Sequence, residues 1–175
     1  TLAHAGYLPR AEMLKTLRKL GSRLQGHPHR KSLPPIENPS GPLGQGLSQA
    51  VGYTYAARMS AKGGSASGGD KFQVYCVMSD GEHDEGQTWE AVMFAGKHKL
   101  ANLTAIMDRN NIQIDGNTED IMPLEPLRAK YEAFNWHVIE IDGNNIEEVI
   151  DACSRAKAVV EKPVMILAHT VPGKG

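Results

Sequence analysis

Short apolar segments alternate with helical segments through the second part of the chain, and this alternation limits the folds open to it. Apolar runs of strand length occupy 72–78, 103–108, 136–141 and 164–169, and helical patterns occupy 86–98, 127–134 and 146–161. Strands that are separated by helices are joined by right-handed crossovers and pair in parallel. The sequence therefore predicts an α/β fold, with a mostly parallel sheet and helices on both faces.

The first part of the chain has a different pattern. Apolar residues recur with a helical period over 12–24, and a second helix is predicted over 47–62. Between them, 25–46 contains five prolines, too many for a helix or a central strand. A glycine- and serine-rich stretch at 63–69 is typical of a surface link, and 109–126 is predicted as a loop. Long loops in compact domains are often functional.

Polar residues follow directly after two of the predicted strands. Asp80 comes after the first of them, and Asn110, thirty residues later, comes after the second. The carboxyl ends of parallel strands form the edge at which open α/β sheets bind ligands. Carboxylate and carboxamide oxygens suit a hard cation such as Mg2+, which completes its shell with phosphate and water. We therefore expect a cation that tethers a diphosphate at this edge.

Several motifs together resemble one enzyme family. Asp-Gly at 80–81 followed thirty residues later by Asn110 is similar to the signature of thiamine diphosphate enzymes. Five segments resemble transketolase in particular: DGEHDEG at 80–86, EA at 90–91, GPLGQGLS at 41–48, GHP at 26–28 and the tail at 162–175. The resemblance covers nearly the whole chain, with one departure, because Ser79 stands where the family usually has glycine. It implies the thiamine diphosphate-binding fold.

The resemblance implies a set of cofactor and metal contacts. Asp80, Asn110 and the backbone carbonyl of Ile112 would hold Mg2+, or another divalent cation such as Ca2+ or Mn2+. Further contacts to thiamine diphosphate are expected from Gly41, Leu43, Gly81, Glu82 and His169. Among these, the amide of Gly81 is expected to face the phosphates and Leu43 to form an apolar wall. His169 ends the last predicted strand at the same edge.

Three further residues are candidates for catalysis. In transketolases a histidine in the position of His27 lies over the reacting carbon, so His27 is expected to be catalytic. Glu85 and Glu90 resemble the glutamates that link two cofactors through a chain of acidic groups at a subunit interface. Poorly solvated carboxylates of this kind cannot all ionise and can relay protons. A simpler alternative for Glu85 is compensation of the helix dipole.

The chain is also expected to act with a partner. At 175 residues it is interpreted as a single diphosphate-binding domain, 1–175, truncated at both ends. Transketolases also have a separate pyrimidine-binding domain, which is expected here on a second chain. The resemblance therefore implies that this chain is the N-terminal subunit of a split enzyme. Its C-terminal subunit would complete an α2β2 assembly that transfers a ketol unit between sugar phosphates, as in the pentose phosphate pathway.

Composition and side-chain context exclude several other classes of function. A net charge of −1 gives no basis for binding nucleic acid or an anionic membrane. Cys76 and Cys153 are interpreted as reduced core residues of a cytoplasmic protein. Four histidines are expected to be solvated, His4, His29, His83 and His98. Three alternatives to a transketolase subunit remain: a deoxyxylulose-phosphate synthase, a 2-oxo-acid dehydrogenase α-subunit, or a non-catalytic subunit that binds the cofactor, or only its partner.

Overall fold

A computed structural model describes residues 2–60, 72–114 and 116–174. The predicted glycine- and serine-rich link at 63–69 lies outside these residues. Residue contacts divide the chain into two compact units, Thr1–Pro42 and Leu43–Gly175. Each unit has its own buried apolar residues and is described separately below.

The first unit contains one short helix and a small core. Helix α1 spans Arg10–Thr16, and the buried side chains are Leu8, Leu24 and Leu33. The predicted helix over 12–24 is therefore wrong after Thr16. Leu17 leaves the helical backbone region, and Arg18 has φ 62° and donates its N–H to the carbonyl of Leu24 at 2.8 Å. This reversal buries Leu24 without a helix, which explains why the helical period misled the prediction.

The second unit is built on a four-stranded parallel sheet in the order β1-β2-β6-β5. The strands are β1 (Val74–Ser79), β2 (Leu103–Arg109), β5 (His137–Asp142) and β6 (Val164–His169). The helices are α2 (Gln45–Ser60), α3 (Gly86–Lys97), α4 (Thr118–Ile121), α5 (Leu127–Ala133) and α6 (Ile146–Ala158). A short hairpin of β3 (Ile112–Gln113) and β4 (Gly116–Asn117) lies beyond β2. The predicted loop over 109–126 therefore contains this hairpin and α4.

Alternate residues of the strands serve two separate cores. In β6, Met165 and Leu167 belong to the core that includes residues of α2, α3 and α5, whereas Val164 and Ile166 pack with Ala152 of α6 and its neighbours. Such alternation is the consequence of the two-residue repeat of a strand. The predicted α/β fold with helices on both faces of a parallel sheet is confirmed. No helix among the described residues is long and apolar enough to cross a membrane.

Candidate functional site

The register of two neighbouring strands positions the predicted site. Ser79 at the end of β1 pairs with Asp108 near the end of β2, so Asp80 emerges at the same edge as Arg109 and Asn110. Asp80 is fully buried, with 0% of its surface exposed. Its Oδ1 accepts a hydrogen bond from the N–H of Gly81 at 2.8 Å. Its Oδ2 accepts from the N–H of Asn111 at 2.7 Å and from Nη1 of Arg109 at 3.1 Å.

Arg109 is the centre of the polar network at this edge. Its side chain is 3% exposed. Besides Asp80, it donates to Oγ1 of Thr118 at 2.7 Å, to Oε1 of Glu119 at 2.7 Å and to Oε1 of Glu125 at 3.1 Å. Burial alone would lower the pKa of Arg109, but hydrogen bonds to Asp80 and the two glutamates outweigh burial and raise it. The guanidinium therefore stays charged and compensates the buried carboxylate.

The two remaining predicted metal ligands lie in one turn after β2. Asn110 donates from Nδ2 to Oδ2 of Asp108 at 2.9 Å, and its Oδ1 accepts the N–H of Ile112 at 2.9 Å. The side chain of Ile112 is exposed. Asn111, between them, has φ 62°, and this left-handed conformation is the one in which its N–H reaches Asp80. Asparagine tolerates that conformation better than most residues.

The donor chemistry of this set fits a hard divalent cation. Oδ1 of Asp80 and Oδ1 of Asn110 each accept one hydrogen bond among the described residues, and each oxygen has two lone pairs. Oxygen ligands of this kind are those that Mg2+ and Ca2+ prefer. No group of three acidic, histidine or cysteine side chains in the described ranges is placed to hold a metal, and the predicted set does not require one. A cation at Oδ1 of Asp80 would share the carboxylate with Arg109 and Asn111, which both donate to Oδ2.

Glu82 joins the end of β1 to the start of α2. Its Oε1 accepts the N–H of Gly44 at 2.6 Å, and its Oε2 accepts the N–H of Ser79 at 3.3 Å. Gly44 has φ 75°, and a Cβ there would lie 2.6 Å from Cγ of Gln87. The amide of the same Gln87 donates to the carbonyl of Leu43 at 2.6 Å. The structure thus gives Glu82 a bracing position, while its predicted contact to the cofactor stays a prediction.

A close approach explains the glycine that follows Asp80. A Cβ on Gly81 would lie 2.9 Å from Cβ of Gln113 in β3, which is closer than real Cβ atoms come. The N–H of Gly81 donates to Oδ1 of Asp80 in this structure. The predicted orientation of that amide towards phosphates therefore requires this hydrogen bond to be shared or exchanged.

His83 corrects one prediction, because it is buried and not solvated. It is 1% exposed, Nδ1 lies 2.9 Å from the carbonyl oxygen of Ser79, and Nε2 lies 2.6 Å from the hydroxyl of Tyr131. A carbonyl only accepts, so Nδ1–H donates to it and the bare Nε2 accepts from Tyr131. Burial lowers the pKa of His83 to about 4. The neutral ring holds the 3-10 turn Gly81–Asp84, which follows Asp80 directly.

The predicted relay residues lie on the surface of this chain. Glu85 precedes α3 without a capping hydrogen bond from its side chain, and Glu90 lies one turn further along the helix. Both residues are exposed. Neither forms an ion pair within the described ranges. Their role as a relay between two cofactors stays a prediction that concerns an assembly.

The remaining candidates divide between the two units. Within the first unit, Gly41 has φ 128°, and a Cβ there would lie 3.5 Å from Cγ of His27, so the structure brings these two residues together. Within the second unit, Leu43 is 47% exposed. His169 ends β6 in register with Arg109, and its Nε2 lies 3.5 Å from Oε2 of Glu140.

Sequence reasoning misses two residues of this site. The motifs do not single out Arg109, although its position directly after a predicted strand, between Asp108 and Asn110, places it at the ligand edge. The sequence also does not predict the hydrogen bond from the backbone N–H of Asn111, because it does not reveal that a residue other than glycine has a left-handed backbone conformation. The burial of His83 depends on Tyr131, forty-eight residues away, and no local signal reports it.

Comparison with known proteins gives consistent matches. The family model for the transketolase thiamine diphosphate binding domain matches residues 1–175. The chain is 45% identical to a 6-deoxy-6-sulfo-D-fructose transketolase subunit of Clostridium sp. (strain MSTE9), over 99% of this chain and 60% of that protein. It is 41% identical to one of the apulose-4-phosphate transketolase subunits of Phocaeicola vulgatus, over 100% of this chain and 59% of that protein.

Solved structures give the same result. Transketolase from Leishmania mexicana superposes with a TM-score of 0.82 at 36% identity, over 96% of this chain and 26% of that chain. Transketolase from Campylobacter jejuni gives a TM-score of 0.79 at 35% identity, over 93% of this chain and 25% of that chain. The chain thus spans about 60% of the length of the two subunit relatives and about a quarter of these solved transketolases.

Proposed function

This chain belongs to the transketolase family, as a thiamine diphosphate-binding domain, and from this premise we propose that it is the N-terminal subunit of a split transketolase. The enzyme transfers a two-carbon ketol unit from a ketose phosphate to an aldose phosphate. The observation that carries the proposal is the pairing of β1 with β2, which brings Asp80 and Asn110 to one sheet edge in a chain matched throughout by the family model.

Residues at this edge have distinct roles in binding. Asp80, Asn110 and the carbonyl of Ile112 hold Mg2+, or Ca2+ or Mn2+ in its place, because they supply one charged and two neutral oxygens. Two adjacent phosphates carry charge that a dication offsets in a partly closed site. Gly81, Glu82 and His169 would hold the diphosphate end of the cofactor, and Gly41 and Leu43 would contact its ring end. Thiamine diphosphate, when bound, supplies the nucleophilic carbon that accepts and releases the ketol unit.

Catalysis draws on two residues of this chain. His27 lies beside Gly41 in the first unit, and its imidazole is a hydrogen-bond partner for a substrate hydroxyl or for charge that develops during transfer. Glu85 is exposed at the start of α3, and in the proposed assembly it would lie towards a second copy of the enzyme and join Glu90 in a proton relay. Both roles require groups from other chains, so their test belongs to the assembled enzyme.

The substrates are sugar phosphates or close analogues. One relative is named for a sulfosugar and another for apulose 4-phosphate, so the donor specificity of this protein is best found with a panel. The transketolase names of the relatives favour this function over a deoxyxylulose-phosphate synthase, a 2-oxo-acid dehydrogenase α-subunit or a non-catalytic subunit. We place the enzyme in cytoplasmic carbohydrate metabolism, alongside the pentose phosphate pathway.

The partner in this proposal is a C-terminal subunit that carries the pyrimidine-binding domain. Two relatives with about 60% of their length matched are themselves named as subunits. Two copies of each chain form an α2β2 assembly, because the relay through Glu85 needs a second cofactor close by. Sedimentation of both subunits, with and without thiamine diphosphate and Mg2+, tests the assembly. A complex of one copy of each subunit would retain the ketol transfer and eliminate the relay.

A variant of Asp80 tests the proposed site. We expect Asp80→Asn to weaken Mg2+-dependent binding of thiamine diphosphate by more than tenfold, which corresponds to about 1.4 kcal/mol. Calorimetry on the complex with its partner subunit measures this, and ketol transfer with a panel of sugar phosphates measures activity. Asp151→Asn is the matched control, since the Asp151 carboxylate is exposed on α6. Unchanged cofactor affinity in Asp80→Asn would refute the metal assignment.

A further inference from the structure

Arg109 places a positive charge directly beside the proposed cation ligand Asp80. Its Nη1 lies 3.1 Å from Oδ2 of Asp80, the only charged ligand in the proposed cation site. Both groups are almost completely buried, so water screens their charges weakly. A cation that binds Asp80 therefore lies close to the guanidinium of Arg109 and shares the carboxylate with it, because Arg109 already donates to Oδ2.

Arg109 also has other partners that it keeps when Asp80 turns away. Its Nη1 donates to Thr118 at 2.7 Å, and its Nη2 donates to Glu119 at 2.7 Å and to Glu125 at 3.1 Å. Releasing Asp80 does not leave the buried guanidinium without hydrogen bonds. The shorter contacts are those to Thr118 and Glu119, and the contact to Asp80 is among the longer ones. The arrangement thus allows the carboxylate to exchange between the arginine and a cation.

We propose that Arg109 is a built-in counter-ion that competes with the divalent cation for Asp80. Without a diphosphate the site therefore binds the cation weakly, and it binds the cation tightly only together with a diphosphate. The diphosphate brings negative charge that offsets both the cation and the arginine. Arg109 is thereby a positioning residue that couples the binding of the two ligands, a coupling that is reciprocal. This inference rests on the proposed function, since it takes Asp80 as a cation ligand.

The competing explanation is that Arg109 only anchors the segment around α4 to the sheet edge. An anchor of this kind, when removed, lowers stability and leaves the affinity for a free cation unchanged or weaker. The counter-ion explanation makes the opposite prediction for the cation, because removing the positive charge frees the carboxylate of Asp80. The two explanations therefore differ in the sign of one measurable change.

The test is a titration of the full chain with Mn2+ in the absence of cofactor, followed by electron paramagnetic resonance of the free ion. We expect Arg109→Gln to bind Mn2+ at least tenfold more tightly than the unmodified protein. We expect the double variant Arg109→Gln, Asp80→Asn to lose this gain in affinity. That result would show that the extra Mn2+ affinity comes from Asp80 and not from Glu119 or Glu125. Arg128→Gln is the matched control, because Arg128 also bridges two glutamates but is 47% exposed. It should leave the Mn2+ affinity unchanged.

A second measurement begins with the unmodified protein, so its first result does not depend on the folding of Arg109→Gln. In the unmodified complex with its partner subunit, thiamine diphosphate should raise the affinity for Mn2+ at least tenfold, and in Arg109→Gln this ratio should fall. Absence of the coupling in the unmodified complex overturns the inference, as does an Arg109→Gln variant whose Mn2+ affinity rises less than tenfold or falls. If Asp80→Asn still binds cation and cofactor normally, the proposed site itself is refuted. If Asp80→Asn weakens both and Arg109→Gln changes neither, only the role of Arg109 is refuted.

Discussion

The buried His83 should make the stability of the protein depend on pH. Its ring is enclosed, its Nδ1–H donates to Ser79, and its Nε2 accepts from Tyr131. Burial lowers the pKa of His83 from 6.5 to about 4. Between these values the unfolded chain binds a proton at this residue and the folded chain does not. The stabilisation that the neutral His83 contributes is therefore fully present above about pH 6.5 and is lost as the pH falls towards 4.

The size of the effect follows from the shift in pKa. Each pKa unit corresponds to about 1.36 kcal/mol, so lowering the pH from 7 to 5 should cost about 2 kcal/mol of stability through this residue. Urea unfolding at the two pH values measures the difference, and a loss of this size moves the midpoint by roughly 1 M. His83→Gln supplies an amide that can both donate to Ser79 and accept from Tyr131 but does not take up a proton in this range.

We expect His83→Gln to be less stable than the original at pH 7 and to lose about 2 kcal/mol less between pH 7 and pH 5. His4→Gln serves as the control, because His4 is exposed in the first unit. It should leave the difference between the two pH values as it is in the unmodified protein. An equally steep loss in His83→Gln would show that other groups cause the acid sensitivity and would refute this explanation.

Two further predictions concern stability alone. Gly44→Ala should cost about 1–3 kcal/mol of stability, because Gly44 has φ 75° and the new Cβ would lie 2.6 Å from Gln87. The control Gly46→Ala should be neutral or slightly stabilising, since its Cβ meets nothing closer than 3.9 Å. Urea unfolding of both variants measures this, and equal losses of stability would contradict it. Trp136→Phe should cost roughly 1–3 kcal/mol of stability, because the buried carbonyl of Val92 loses the hydrogen bond from the indole N–H at 2.9 Å. Thermal unfolding measures this, and an unchanged midpoint would contradict it.

The sheet was largely predictable because its strands are strongly apolar. The strand predicted over 164–169 is β6 as observed, and the one predicted over 103–108 is shorter than β2 by only its last residue, Arg109. The helix predicted over 146–161 ends earlier, at Ala158, because the backbone of Val159 is already extended. End effects of this size reflect local backbone geometry, which hydrophobic patterns do not encode.

Errors arose where distant residues decide the structure. The period of leucines over 12–24 predicted a helix, but Leu24 is buried by a chain reversal against Leu8 and Leu33. His83 stands among polar residues in the sequence and is buried by Tyr131 from another element. At the candidate site, the position of Asp80 and Asn110 at one sheet edge was predictable because both follow strands. The hydrogen bonds from Arg109 to Glu119 and Glu125 depend instead on how the following segment folds back.

The position of β6 has a consequence for the order in which the protein forms. Among the described strands it comes last in the chain, yet it lies between β2 and β5 in the sheet and contributes to both cores. During synthesis, β1 can pair with β2 early, but β5 finds its neighbour among the described strands only when Val164–His169 has left the ribosome. Until then the free edge of β2 is open to incorrect pairing. The pairing of β5, and the completion of the edge at which Asp80 and Asn110 lie, therefore depend on a segment that is synthesised after β1, β2 and β5.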